Sequence, residues 1–204
     1  MRPINQLYSL PNILTIVRIG FIPLLVLFYY LPTPWAHMVA AILFAVASVT
    51  DWLDGYLARY LKQSTQLGAF LDPVADKLMV SIALILIVAE PTFQFINLRS
   101  AVITIPTFAI TIPAGIIVAR EIIVSALREW MAEVGKRASV AVSNLGKIKT
   151  AIQMLALIVL LYCHNTTSAS IVIAGYILLY ISAVLTIWSM LIYLKAAWKH
   201  LNGE

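Results

Sequence analysis

Residues 51–76 read "DWLDGYLARYLKQSTQLGAFLDPVAD". Asp51, Asp54, Asp72 and Asp76 fall within it, four of the nine acidic residues in a chain of 204. The sequence on either side is apolar. The whole chain is 62% hydrophobic and 11% charged, with a mean hydropathy of +0.94. A soluble domain is about half apolar and about a quarter charged. The departure points to an integral membrane protein. An aspartate at mid-membrane costs about 2.5–3.5 kcal/mol on insertion scales, and less near the interface. Four of them between two apolar segments need a compensating partner, and the nature of that partner decides how the chain is read.

Working outward, six stretches are long enough to cross about 30 Å of hydrocarbon. They run over residues 12–31, 36–60, 69–90, 98–127, 145–163 and 169–194. "LPTPW", "EPTFQF" and "HNTTS" separate the first from the second, the third from the fourth and the fifth from the sixth. Pro106 and Pro113 fall inside the fourth and predict a kink there. The first run is too long for a signal h-region, contains Arg18 and is followed by no A-x-A-like site, so it reads as a retained span. No internal repeat or linker appears, and residues 1–204 read as one domain. The connections 31–36, 90–98 and 163–169 carry no Lys or Arg. Nearly all the remaining cations, among them Arg59, Lys62 and those of the 128–149 segment, fall on the opposite side. The net charge of +5 therefore reads as a topology signal rather than a nucleic-acid surface, and it puts both termini in the cytoplasm. The expectation is an all-α integral membrane protein with six transmembrane helices and an active-site cavity opening to the cytoplasmic side. The single cysteine, Cys163, excludes an internal disulfide, and His37, His164 and His200 lack metal-ligand spacing.

Asp51 and Asp54 are spaced i, i+3, and Asp72 and Asp76 are spaced i, i+4, so each pair shares a helix face. Gly68 lies one turn before Asp72, Gly55 directly follows Asp54, and Ala58 is one turn beyond that. Small residues beside carboxylates leave room for a backbone or a ligand. An ion-pair network with Arg59, Lys62 and Lys77 is one way to compensate the charge. Counting only the nearest cations, Arg59 and Lys77, it leaves two of four negative charges unmatched, and Lys77 is rotated about 100° from Asp76. Solvated interface carboxylates are another reading. Hard divalent cations account for more: Mg²⁺ and Mn²⁺ prefer carboxylate oxygen, and two such ions can clamp attacking and leaving oxygens.

The pattern Asp51-x2-Asp54-Gly55-x2-Ala58-Arg59-x8-Gly68-x3-Asp72-x3-Asp76 resembles the signature of the CDP-alcohol phosphotransferase family at each of its eight fixed positions. The resemblance implies a six-helix membrane fold, usually homodimeric. It also implies a site for two Mg²⁺ or Mn²⁺ ions, and transfer of a phosphatidyl-type group from a CDP-linked lipid to an alcohol with release of CMP. Carried over by position, Asp51, Asp54 and Asp72 are metal ligands. Asp76 is both near the metal and the base for the acceptor hydroxyl. Gly55, Ala58, Arg59 and Gly68 shape the cytidine diphosphate pocket.

The signature does not choose the alcohol. In "PNILTIVRIGFIP", Asn12, Thr15 and Arg18 recur every three residues on one face of the first span. Asn12 and Thr15 are assigned to the CDP-lipid. Arg18, costly in an apolar run, should face a polar cavity or a phosphate, or else snorkel to the interface. Residues 119–150 carry Arg120, Arg128, Lys136, Arg137, Lys147 and Lys149. A phosphorylated acceptor wants such cations, although anionic lipid also attracts them. Arg18, Arg120, Lys147 and Lys149 are assigned to the acceptor phosphate. "LGKIKT" is no P-loop, because Ala141 replaces the first glycine and Ile148 the Ser/Thr. This segment, with "NILT" and "AVLTIWSM", resembles the bacterial branch of the family that couples CDP-diacylglycerol to sn-glycerol 3-phosphate. That resemblance implies a multi-pass protein of the bacterial cytoplasmic membrane, among membrane lipids. Inositol phosphate or phosphatidylglycerol as acceptor, and a divalent-cation transporter that uses the aspartates alone, are the competing readings.

Overall fold

The structure is a computed structural model that describes residues 10–61, 66–98, 101–133 and 144–201. Lys62, Arg99, Lys136 and Arg137 lie outside the described residues, as do the side chains of Asp54, Gly55, Ala58 and Arg59. Six helices account for most of the chain: α1 (Leu10–Tyr29), α2 (Ala36–Leu61), α3 (Gln66–Ala89), α4 (Phe108–Glu133), α5 (Asn144–Tyr162) and α6 (Ala169–Leu201). Among the described residues, three stretches are long and apolar enough to cross a membrane: Asn12–Tyr29, Phe108–Glu133 and Ala169–Lys195. Ala36–Asp51 is a shorter apolar segment. Large side chains such as Leu27, Val49, Ile85, Val184 and Trp188 point outward and stay exposed, as suits a membrane protein surrounded by lipid.

The fold is not purely helical. Residues 98 and 101–104, expected to open the fourth span, belong instead to the paired strands β1 (Phe95–Leu98) and β2 (Ala101–Thr104), which form a hairpin. The strands are antiparallel with Phe95 opposite Thr104 and Leu98 opposite Ala101. A short 3₁₀ turn over Pro91–Gln94 leads into it, and the Ile105 N–H closes it on the Gln94 carbonyl at 2.8 Å. Two physical causes override the hydropathy. The run is rich in β-branched and aromatic residues, and Pro106 forbids a helix from continuing back through it. Helix α4 starts only after Pro106, where the Thr107 carbonyl accepts the N–H groups of Ile110 and Thr111. Pro113 does lie inside α4, as expected.

The chain groups into two compact units, residues 1–90 with 158–166, and residues 91–157 with 167–204. In the first, α1 packs against α2 and α3. One face of α1, made by Asn12, Thr15, Arg18, Ile22, Leu25 and Tyr29, is buried along its whole length. Its first three residues are polar and its last three apolar, so the α1 seam is polar at one end and apolar at the other. Facing residues are small or apolar: Ala40, Phe44 and Ala47 on α2, and Ala75, Met79 and Ala83 on α3. At the apolar end Tyr29 sets its ring edge against His37 at 4.6 Å, and His37 stacks on His164 at 5.9 Å. These histidines are distant in sequence, and the fold makes them neighbours.

In the second unit α4 and α6 pair along parallel directions. Tyr180 meets Ala109 near their starts, and Tyr193 meets Arg120 farther on. The α6 face turned inward carries Ser182, Thr186, Ser189 and Tyr193, all buried. Small hydroxylated residues let helices approach closely where lipid gives no hydrophobic drive. The carbonyl that Pro113 leaves without a backbone donor has a specific partner. Pro113 has no N–H to give the carbonyl of Ala109, and the Tyr180 hydroxyl donates to that carbonyl at 2.8 Å instead. Tyr180→Phe should therefore lower stability by about 1–3 kcal/mol. The loss should shrink in a Pro113→Ala background, where a backbone N–H again serves Ala109. Thermal unfolding of the four proteins in detergent checks this; additive effects would refute the link.

Candidate active site

The polar end of the α1 seam builds the first cluster. Thr15 and Arg18 are three residues apart on α1; Asp72 and Asp76 are four apart on α3. Parallel helices bring these pairs into register. The Thr15 hydroxyl donates to Asp72 Oδ1 at 2.5 Å. Arg18 Nη1 donates to Asp76 Oδ1 at 2.5 Å and to Asp51 Oδ1 of α2 at 2.7 Å. Three helices are thus tied at one point by one guanidinium. Arg18 is 2% exposed, whereas the Asp51 and Asp76 side chains are 41% and 40% exposed. The cation lies behind and the carboxylates keep an open face. Arg18, assigned from sequence to the acceptor phosphate, is placed on two of the expected metal-site carboxylates.

Asp51, Asp72 and Asp76 come together as the sequence pattern expects, with Gly68 buried one turn before Asp72 and Asn12 buried one turn before Thr15. Asp51 and Asp76 share one guanidinium, and Asp72 is held by a neutral hydroxyl. All the donors are hard oxygens, so in charge and chemistry the set fits a divalent cation such as Mg²⁺ or Mn²⁺. Among the described residues no three of His, Cys, Asp or Glu already stand at metal-holding distances. Arg18 currently spans two of the candidate ligands, and Asp54 lies one turn along α2 from Asp51.

A second charged cluster lies in the other unit. Arg120 of α4 is 8% exposed and Lys149 of α5 is 1% exposed. Both converge on Glu121: Lys149 Nζ lies 2.8 Å and Arg120 Nη1 lies 3.1 Å from its Oε1. Two cations share one carboxylate, leaving one net positive charge in a buried place. Tyr193 of α6 lies beneath both guanidinium groups, 5.8 Å from Arg120 and 5.3 Å from Arg128, and accepts a hydrogen bond from Arg128 Nη2 at 3.3 Å. Lys147 is exposed on the other side of α5 and stands apart from this cluster, since two helical residues are about 200° apart.

Sequence reasoning passed over Glu121, Tyr193 and Gln153 as site residues. The available signal was periodic. Lys149 and Gln153 are i, i+4 in an apolar helix, and Ser182, Thr186, Ser189 and Tyr193 form a helical stripe in another. Removing Arg18 leaves two carboxylates uncompensated, while removing the Thr15 hydroxyl loses one neutral donor. Arg18→Leu should therefore destabilise the protein by more than Thr15→Val, by about 2–3 kcal/mol against about 1 kcal/mol. Unfolding midpoints in detergent measure both, and an Arg18 variant as stable as the parent would contradict the tethering role.

The chain matches the CDP-alcohol phosphatidyltransferase family over residues 8–188. It is 52% identical over 195 residues to a protein of Yersinia enterocolitica, covering 95% of this chain and 97% of that one. A protein of Salmonella choleraesuis is 50% identical over 190 residues, covering 93% and 95%. One of Pectobacterium atrosepticum is 52% identical over 190 residues, with the same coverage. All three are named CDP-diacylglycerol–glycerol-3-phosphate 3-phosphatidyltransferase. With its aspartates converging as that family's signature implies, this chain belongs to the CDP-alcohol phosphatidyltransferase family.

Proposed function

We propose that this protein transfers the phosphatidyl group of CDP-diacylglycerol to sn-glycerol 3-phosphate, giving phosphatidylglycerophosphate and CMP in phospholipid biosynthesis. The observation that carries the reading is the convergence of Asp51, Asp72 and Asp76 on Thr15 and Arg18. It is supported by relatives that bear this activity in their names at about half identity over nearly the full length.

The acceptor hydroxyl oxygen attacks the lipid-bearing phosphorus of CDP-diacylglycerol. A new P–O bond forms, the P–O bond to CMP breaks, and CMP leaves with that electron pair. Asp76 takes the hydroxyl proton; its carboxylate is close to two-fifths exposed and so within reach of a substrate. Arg18 fixes Asp76 and Asp51 in direction, and Thr15 does the same for Asp72. Asp51, Asp54, Asp72 and Asp76 would hold two Mg²⁺ or Mn²⁺ ions. When bound, these neutralise the pyrophosphate and stabilise charge on the attacking and leaving oxygens. The family generally depends on a divalent metal. Asn12, Gly55, Ala58, Arg59 and Gly68 line the place of the CDP-lipid. Arg120 and Lys149 receive the acceptor phosphate, while Lys147, expected from sequence to share that role, is exposed on the other side of α5.

We read residues 1–204 as one functional domain with six spans, both termini cytoplasmic and the carboxylates open to the cytoplasm. The support is the absence of Lys and Arg from the 31–36, 90–98 and 163–169 connections. The setting is the bacterial inner membrane, and the assembly is a homodimer.

The test is an acceptor panel. Purified protein should release CMP from CDP-diacylglycerol only with glycerol 3-phosphate and Mg²⁺ or Mn²⁺ together. Chelation with EDTA should stop turnover. Equal turnover with inositol phosphate or phosphatidylglycerol would sink the acceptor assignment. Metal flux into liposomes without any CDP-lipid would favour a transporter. Asp76→Asn should lower kcat by at least 10²-fold while CDP-lipid binding persists, the loss typical of a removed general base. Near-parental kcat in that variant would move the base elsewhere.

A further inference from the structure

Gln153 sits on α5 one turn beyond Lys149 and, at i+4, on the same face. It is 2% exposed, and its Oε1 has no hydrogen-bond partner among the described residues. In an apolar helix an unmet amide oxygen costs about 1–3 kcal/mol, so such a group calls for a partner that is not yet bound. The Glu121 cluster that Lys149 belongs to holds a second atom unmet among the described residues, the donor Arg120 Nε of a residue 8% exposed. Arg120 is tied to Lys149 through the Glu121 carboxylate. The arrangement therefore offers two cations and a free N–H at one place, and one turn away a lone acceptor oxygen. Anion donors beside a hydroxyl acceptor are complementary to a short polyol phosphate.

We propose that Gln153 is the residue that reads the non-reacting hydroxyl of the acceptor, with its Oε1 accepting from the middle hydroxyl of glycerol 3-phosphate. The assignment rests on the acceptor reading above and deepens it. Arg120 and Lys149 hold the phosphate, with the Arg120 Nε–H gaining its partner there. Glu121 keeps both cations in place and prevents them from repelling each other when the site is empty. Gln153 then discriminates a triol-derived phosphate from a simple diol phosphate. A purely apolar residue at 153 would leave recognition to the phosphate alone. Phosphate contacts by themselves cannot tell one alcohol phosphate from another, whereas a buried hydroxyl acceptor penalises an analogue that leaves it unpaired.

The experiment compares CMP release with sn-glycerol 3-phosphate and with propane-1,3-diol monophosphate, which keeps the phosphate and the terminal hydroxyl but lacks the middle one. The parent should prefer glycerol 3-phosphate by about tenfold in kcat/KM, the worth of one hydrogen bond. Gln153→Met keeps the side-chain volume and removes an unmet polar atom, so it should fold at least as stably as the parent. It should lose the preference, falling about tenfold on glycerol 3-phosphate and holding level on the analogue, with the KM for CDP-diacylglycerol unchanged. Gln153→Glu retains an acceptor oxygen and adds charge near the phosphate. Both acceptors should weaken together, with the ratio preserved. A parent without preference, or a Met variant that keeps the parental ratio, overturns the assignment of Gln153 and leaves the acceptor reading standing. No turnover of glycerol 3-phosphate by the parent, with turnover of another alcohol phosphate, overturns both.

Discussion

One buried guanidinium sets the geometry of the first unit. Arg18 bonds Asp51 of α2 and Asp76 of α3 from its position on α1. None of the three helices can rotate or slide without breaking a charged contact in a medium that penalises unpaired charge. The polar stripe at the start of α1 therefore selects the register of its neighbours, and Thr15 on Asp72 repeats the instruction one turn away. Because the guanidinium lies behind and the carboxylates keep an open face, the device that holds the helices also leaves acidic oxygens for chemistry. Two carboxylates share one guanidinium and the third meets a neutral hydroxyl, an oxygen-rich acidic set that suits a hard divalent ion.

The second unit uses the opposite sign. Two cations meet one carboxylate, and Tyr193 lies against the guanidinium groups of Arg120 and Arg128. Each cluster is unbalanced by design of its residue types, one toward a cation and the other toward an anion. Hydroxyls do quieter work around them. Tyr180 replaces the donor that Pro113 lacks, and Tyr176 caps the Phe93 carbonyl at 2.8 Å, so α6 fastens both the start of α4 and the turn into the hairpin.

That hairpin shows where reading by hydropathy stops. Residues 98–104 are apolar enough to extend a span, and a sliding average cannot tell a strand from a helix. The β-branched and aromatic residues and Pro106 carried the local information, but the pairing of Phe95 with Thr104 depends on the α6 contacts that anchor it. The other five helices were legible because about 20 consecutive apolar residues have few alternatives. The acidic pattern was legible for a different reason. Its residues fall on two consecutive helices, and fixed i, i+3 and i, i+4 spacings are visible in one dimension.

Sequence alone determined the membrane character, the six helices, the family signature and the acidic stretch from Asp51 to Asp76, because each is encoded by composition or by spacing within one or two neighbouring elements. Only the tertiary structure decided which cation answers those aspartates. From sequence the candidates were Arg59, Lys62 and Lys77, near in the chain; among the described side chains Arg18 answers two of the aspartates, 33 residues from Asp51 and 58 from Asp76. The same holds for Glu121 and Lys149, 28 residues apart, and for the separation of the buried Lys149 from the exposed Lys147. Helical periodicity states which residues share a face. Packing decides what that face meets, and for a charge in a membrane that choice fixes whether it serves as an anchor, a ligand or a surface signal.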